Sequence, residues 1–336
     1  MVGAAYRVAW GSVGLVVALA WSAGSLRADT PHQLFVERAC RDLLGRAPDL
    51  GNLATLAGDL DAAELTRSQV ATRLDDTDEF RGLEVQQQYQ ALLHHTADPL
   101  ALNGWVGALG SGTIVEQLQS NLAGSSDYYL NRGGGTDSGF LTALYPDLLG
   151  RPITPMERLA DEGALSGGES RTNLAAGLLG SSEYDQALVA NLFEQYLRRP
   201  VDPTNRQFYG NLLQSGARDE QVIADLVGTD EYYSLPLLPG DANFDQSVGF
   251  DDLVILARNY GKASAHWFDG DFNGDGIVGF ADLVGLARDY GKSAAIAVAV
   301  EPAIAQLPEP SSLLVGIGAA ALLRRRRPAG DRALAQ

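Results

Sequence analysis

Two short acidic stretches carry the side chains best suited to chemistry. The first holds Asp241, Asn243, Asp245, Ser247 and Asp252, and the second holds Asp271, Asn273, Asp275, Ile277 and Asp282. Counted from each leading aspartate, these are positions 1, 3, 5, 7 and 12, with glycine at position 9 in both. Side-chain oxygens at positions 1, 3 and 5 of a tight turn, a main-chain carbonyl at 7 and a carboxylate at 12 form a calcium ligand set. Calcium is a hard ion that takes about six to eight oxygens. Position 7 contributes only its carbonyl, so Ile277 serves as well as Ser247. Glycine at position 9 leaves that place to water. Two Ca2+ sites are therefore expected. The alternative, a pair of acidic turns without metal, does not account for the repetition of the whole ligand spacing.

The elements around these loops are duplicated with them. Gly240 to Lys262 and Gly270 to Lys292 are identical at 16 of 23 positions, at an offset of thirty. Leu253, Val254, Leu256 and Ala257 begin an apolar stripe on an exit helix, and Leu283, Val284, Leu286 and Ala287 repeat it. Gly261 and Gly291 stop these helices. Val248 and Val278, at position 8, predict a short backbone bridge between the two loops. Pro236, Pro239 and Gly240 disfavour a helix entering the first loop. Position 6 is Gly276 in the second loop but Gln246 in the first, which must turn sharply without glycine.

A loop–helix unit occurring twice, with aspartate rather than glutamate at position 12, resembles the type I dockerin module, a relative of the EF-hand, over residues 239–292. The resemblance implies a calcium-binding protein-interaction module with a cohesin-like partner. Phe250-Asp251 and Phe280-Ala281 occupy the positions that help choose a cohesin, where small hydroxyl pairs are usual, so a cellulosomal cohesin is not the expected partner. The sequence leaves open whether the module meets a partner or the rest of its own chain. A module of about 55 residues has a marginal core, so metal should supply much of its folding energy.

Four earlier segments share a phrase: "ACRDLLGRAPD", "QYQALLHHTAD", "ALYPDLLGRPIT" and "FEQYLRRPVD". Each closes on "DTDEF", "SSDYY", "SSEY" or "TDEYY". From Arg46, His95, Arg151 and Arg199 to Glu79, Asp127, Glu183 and Glu231, the intervals are 33, 32, 32 and 32 residues. Phe140, Leu141, Leu144, Tyr145, Leu148 and Leu149 fall on one helical face, stopped by Gly150 and Pro152. Each repeat predicts two or three short helices that need stacked neighbours to hide their apolar faces. The glycine-rich 132–139 stretch reads as a flexible joint between two pairs. The phrase resembles a family of secreted bacterial helical repeats of unknown function over roughly residues 34–235. His94-His95 and Thr154 depart from its pattern.

The ends read as addresses. Arg7, a long apolar run and Ala28 form a secretory signal cleaved near residue 28; an uncleaved anchor is the alternative. Pro308-Glu309-Pro310, the apolar Ser311–Leu323 stretch and Arg324 to Arg327 resemble a PEP-CTERM sorting signal, which implies an exosortase and delivery to the cell surface or extracellular matrix. The net charge is −17; losing 1–28 and 311–336 removes seven arginines and one aspartate and makes it −23. Such acidity excludes a nucleic-acid partner. Cys40 alone cannot form an intramolecular disulfide or a four-cysteine zinc site.

No nucleophile motif, zinc-protease motif or phosphate loop is present, and four scattered histidines form no triad. Adjacent His94 and His95 point about 100° apart on a helix and suit a helix-terminal role better than a metal. The expected fold is all-α: an array of four short helical repeats and then a small duplicated calcium loop–helix, dockerin-like module. The expected divisions are 1–28 signal, 34–131 repeats one and two, 139–235 repeats three and four, 239–292 module, 293–307 linker and 308–336 tail. The expected role is a non-catalytic surface or matrix protein. The rivals are an accessory of extracellular polysaccharide degradation and a polysaccharide-binding array.

Overall fold

The computed structural model describes residues 29–294, and these are all-α, without a strand. The signal, linker and tail expected at 1–28, 293–307 and 308–336 lie wholly or almost wholly outside the described residues. Every repeat is a three-helix unit. Repeat one is α1 (Pro31–Leu44), α2 (Leu50–Asp61) and α3 (Arg67–Asp75); repeat two is α4 (Asp78–Leu93), α5 (Pro99–Gly110) and α6 (Val115–Ala123). Repeat three is α7 (Asp137–Leu149), α8 (Pro155–Ser166) and α9 (Arg171–Leu179). Repeat four is α10 (Ser182–Leu197), α11 (Pro203–Gln214) and α12 (Asp219–Gly228), followed by a short α13 (Asp230–Tyr233). The exit helices of the module are α14 (Phe250–Asn259) and α15 (Phe280–Asp289).

The shared phrase is a helix-to-helix corner. Its first helix ends in a left-handed residue: Gly45, His94, Gly150 or Arg198, with φ of 66°, 60°, 68° and 57°. Four residues on, Asp49, Asp98, Thr154 and Asp202 cap the second helix by accepting backbone N–H bonds. Thr154 is thus a like-for-like change, since its hydroxyl caps Glu157 as the carboxylates cap their own helices. Between stop and cap, one cationic side chain reaches the closing phrase. Arg46 grips Glu79 through two bonds of 2.5 and 2.7 Å. Arg151 and Arg199 grip Glu183 and Glu231 in the same forked way. The closing aromatics Phe80, Tyr128, Tyr184 and Tyr232 are buried.

The repeats do not stack in chain order. Repeats one and four share one apolar core, and repeats two and three share another. Their third helices make the main contacts, α3 on α12 and α6 on α9. The divisions 34–131 and 139–235 are two halves of the chain, but neither half builds a core of its own. The physical reason lies in α4 and α10. Each is one continuous 16-residue helix that closes one repeat and opens the next. A rod of about 24 Å holds its two repeats apart, so each half hides its apolar faces against the other half in reverse order.

The glycine stretch at 132–139 is a close-packed turn. A side chain on Gly139 would reach within 2.1 Å of the Gly133 carbonyl oxygen, and one on Gly133 within 2.8 Å of Phe140 Cα. It follows a single π-helical turn, Tyr128–Arg132, whose Tyr128 hydroxyl and Arg132 guanidinium both donate to Asp147 of α7. The counterpart in the other core is Asp42, which accepts from Tyr232 and Arg198 at 2.7 Å each.

The module is seated on the repeats. Phe244 and Phe268 belong to the core of repeats one and four, with Trp267 packed at its margin. Arg38 of α1 donates to the carbonyls of Tyr232 and Leu235 at 3.0 Å each, and its guanidinium lies 5.7 Å from the centre of the Phe244 ring. Residues 239–292 therefore form one compact unit with the repeats rather than a free-standing domain. The module's own core is small: Val248, Leu256, Ala265, Val278 and Leu286.

Candidate metal centre

The two loops share most of their internal hydrogen bonds. In the first, Asp241 accepts the N–H groups of Asp245 (3.1 Å) and Gln246 (2.9 Å), and Asn243 accepts that of Asp245 (2.9 Å). Asp245 accepts from Ser247 N–H at 2.8 Å and from its hydroxyl at 2.7 Å. In the second, Asp271 accepts from Gly274, Asp275 and Gly276, Asn273 from Asp275, and Asp275 from the N–H of Ile277. The aspartates at position 12 tie each loop shut. Asp252 accepts from Ala242, Asn243 and Gly249, and Asp282 from Phe272, Asn273 and Gly279. Through Gly249 and Gly279 the same carboxylates cap α14 and α15.

The halves of the module are fastened crosswise. Val248 and Val278 do not bridge to each other, contrary to the expectation from their position. Val248 instead exchanges backbone bonds with Gly291 and Lys292 after α15, at 2.8 and 2.9 Å. Val278 does the same with Gly261 and Lys262 after α14, at 2.8 and 3.1 Å. Each loop is thus latched to the end of the other exit helix, which is why the Gly-Lys pair recurs in the duplicated string. Gly240 and Gly270, both at φ 106°, complete the exchange. A Cβ on Gly240 would lie 2.9 Å from Leu286 Cα, and one on Gly270 3.0 Å from Leu256 Cα.

The loops differ at their left-handed residues. Gly274 and Gly276 take φ of 70° and 79° in the second loop, while Phe244 and Gln246 take 60° and 68° in the first. The strain at Gln246 is legible in sequence; that at Phe244 is not, since nothing local shows that this ring belongs to the repeat core.

The donor set fits calcium. Asp241, Asp252, Asp271 and Asp282 are all buried, and among the described residues no lysine or arginine pairs with them or with Asp245 and Asp275. Burial, before any other cause, raises the Asp241 carboxyl to about 7 and lifts those of Asp252 and Asp271. Neighbouring acids add to this: Asp245 and Asp252 for Asp241, Asp282 and Asp275 for Asp271. A divalent ion among these oxygens would offset both costs. In neither loop do three carboxylates bring oxygens within 4.8 Å of one another; they are turned onto backbone N–H groups instead. The described residues that do converge so closely are Asp29, Glu37 and His266. Sequence spacing carries no signal for that group, because its members come from opposite ends of the described chain.

No family model, curated protein or solved structure matches the chain.

Proposed function

We propose that this is an exported, non-catalytic protein of the cell surface or extracellular matrix whose dockerin-like module binds two calcium ions and presents a face to a protein partner. One observation carries the reading: two loops that share most of their hydrogen bonds each bury a position-1 and a position-12 aspartate without a basic partner. Oxygen-only donors of this charge favour a hard divalent cation. Asp241, Asn243, Asp245, Asp252 and the Ser247 carbonyl would hold the first ion. Asp271, Asn273, Asp275, Asp282 and the Ile277 carbonyl would hold the second. While Phe244 and Phe268 are docked on the repeats, Phe250 and Phe280, the first residues of α14 and α15, stand 67% and 69% exposed. Two such rings at equivalent places offer an apolar surface to a cohesin-like domain. The acidic surface and the terminal addresses agree with an extracellular destination.

The test is calorimetric titration of calcium into the full-length protein, with Asp241→Ala and Asp271→Ala alongside. Two binding events, one removed by each substitution, support the reading. Silence at millimolar calcium would reject it and move the protein's role to the repeats. Hydrolysis of a plant or bacterial glycan by the purified chain would favour the polysaccharide-degrading rival.

A further inference from the structure

Where the module meets the repeats, three metal-ligating side chains converge. Asp29 lies just before α1, Glu37 sits on the buried face of α1, and His266 belongs to the segment between α14 and the second loop. Their ligand atoms all lie within 4.8 Å of one another. His266 Nδ1 is 2.5 Å from Asp29 Oδ1 and 3.7 Å from Glu37 Oε1. The imidazole is held flat on Phe268, with ring centres 5.5 Å apart and planes 9° from parallel. The second oxygen of Asp29 accepts the Trp267 N–H at 2.8 Å, which fixes the carboxylate from behind.

Glu37 is the anomaly. Its side chain is fully buried, and neither oxygen has a hydrogen-bond partner. Burial first, and then the charges of Asp29 and Asp269, push its carboxyl well above the usual carboxylate range, and the Phe268 backbone N–H offsets this only in part. The two nearby cations do not serve it: Lys262 is paired with Asp269 at 2.7 Å, and Arg41 acts on it only at long range. A buried carboxylate without a partner is costly to keep. A proton on His266 Nδ1 does not solve this, because it can point at one carboxylate and Asp29 has it. A metal ion bonds to both.

We propose that Asp29, Glu37 and His266 form a third cation site, separate from the calcium loops, that takes a first-row divalent metal such as zinc. One imidazole and two carboxylates are a borderline donor set, softer than the all-oxygen loops. Zinc bonds of about 2.1 Å in a tetrahedron place ligand atoms about 3.4 Å apart. The His266–Glu37 separation is already close to this, and Asp29 needs to retreat by about 1 Å. Three protein ligands leave the fourth position to water. The site draws Asp29 and Glu37 from the repeat body and His266 from the module, so metal there would staple the two together.

The test is zinc titration of the full-length protein held in saturating calcium, with cobalt(II) absorption as the signature of coordination. One zinc per chain is expected, weakened at least tenfold by Glu37→Gln and by His266→Gln but retained in Asp271→Ala. Glu37→Gln keeps the shape and is neutral, as burial favours at this position, so it should fold; His266→Gln, on a partly exposed residue, decides the matter if it does not. Equal zinc binding by wild type and both variants, or no binding at about 0.1 mM zinc, would overturn the site. Loss of zinc in Asp271→Ala would show that the metal sits in the loops instead. Because the loops can fail to bind calcium while this site still binds zinc, the two proposals stand or fall apart.

Discussion

The two loops of the module share a ligand pattern and a hydrogen-bond scheme, yet only the second has glycine where the backbone turns left-handed. The first places Phe244 and Gln246 there. The difference follows from what each loop touches. Phe244 is 1% exposed in the core of repeats one and four, under the Arg38 guanidinium. Its counterpart Gly274 has no side chain, and nearby Ile277 is 44% exposed. A non-glycine residue in this conformation costs roughly 1–2 kcal/mol. Burying a phenylalanine contributes about 1.5–3 kcal/mol, so strain in the first loop is outweighed by anchorage. Divergence between two copies marks the copy that has taken a second job.

Phe244→Ala breaks the comparison most severely. It removes the anchor but keeps the strained backbone, and large-to-small changes at buried aromatics cost about 3–5 kcal/mol. Urea denaturation should show that loss, together with proteolytic release of the module. The matching change in the second loop, Gly274→Ala, should cost only about 1 kcal/mol of local strain and leave docking intact. If the two cost the same, the loops are equivalent and Phe244 is no anchor.

A smaller effect separates strain from anchorage. Gln246 is half-exposed, and its amide makes one bond, 3.2 Å to the Pro236 carbonyl. Gln246→Gly should therefore stabilise the first loop by about 0.5–1 kcal/mol and raise its calcium affinity by a few-fold. Gly276→Gln should weaken the second loop by about the same amount. Calorimetry on each variant should show the two site affinities drawing together, upward in Gln246→Gly and downward in Gly276→Gln. Unmoved affinities would mean that backbone strain does not govern the ion's hold.

Much of this was legible in the sequence because the signals were local. The ligand spacing, exit-helix stripes and missing entry helix depend on residues within one loop–helix. The corner phrase depends on a helix stop and a cap four residues apart. The 32-residue interval was legible as a period, but not as the Arg46–Glu79 ion pair and its equivalents. What stayed hidden was non-local. The pairing of repeat one with four depends on the rigidity of α4 and α10, not on any motif. The crossed latch of Val248 onto Gly291 depends on α15 packing against α14. Glu37 looked like one more acidic helix residue until folding brought His266 over it.

The smallest effect lies in the repeats, where a substitution changes chemistry without changing geometry. Arg46, Arg151 and Arg199 each donate to the carbonyl of the next residue and to an acid of the closing phrase. His95 copies both contacts, with Nδ1 2.9 Å from the Thr96 carbonyl and Nε2 2.9 Å from Asp127. Both ring nitrogens therefore face acceptors, a demand only the doubly protonated imidazolium meets. The Thr96 carbonyl first, and then Asp127, raise the His95 pKa, while His95 and Asn131 lower that of Asp127. Tyr89 meets the ring edge-on and adds no charge. The sign follows from these directions. The histidine half of the pair stabilises fully below about pH 6.5 and is lost as pH rises through the higher folded value; the Asp127 half is present above about pH 4 and is lost in acid. The arginine pairs lose nothing between pH 6 and 8.5, because guanidinium does not titrate there. The His95 pair should thus add a slight fall to the urea midpoint over that range, on top of the fall from the buried carboxyls of Asp75, Glu84 and Asp241, and His95→Arg should remove that added part alone. Both groups are exposed, so the change will be small; an identical slope in the two proteins would show that the second repeat is held by its core alone.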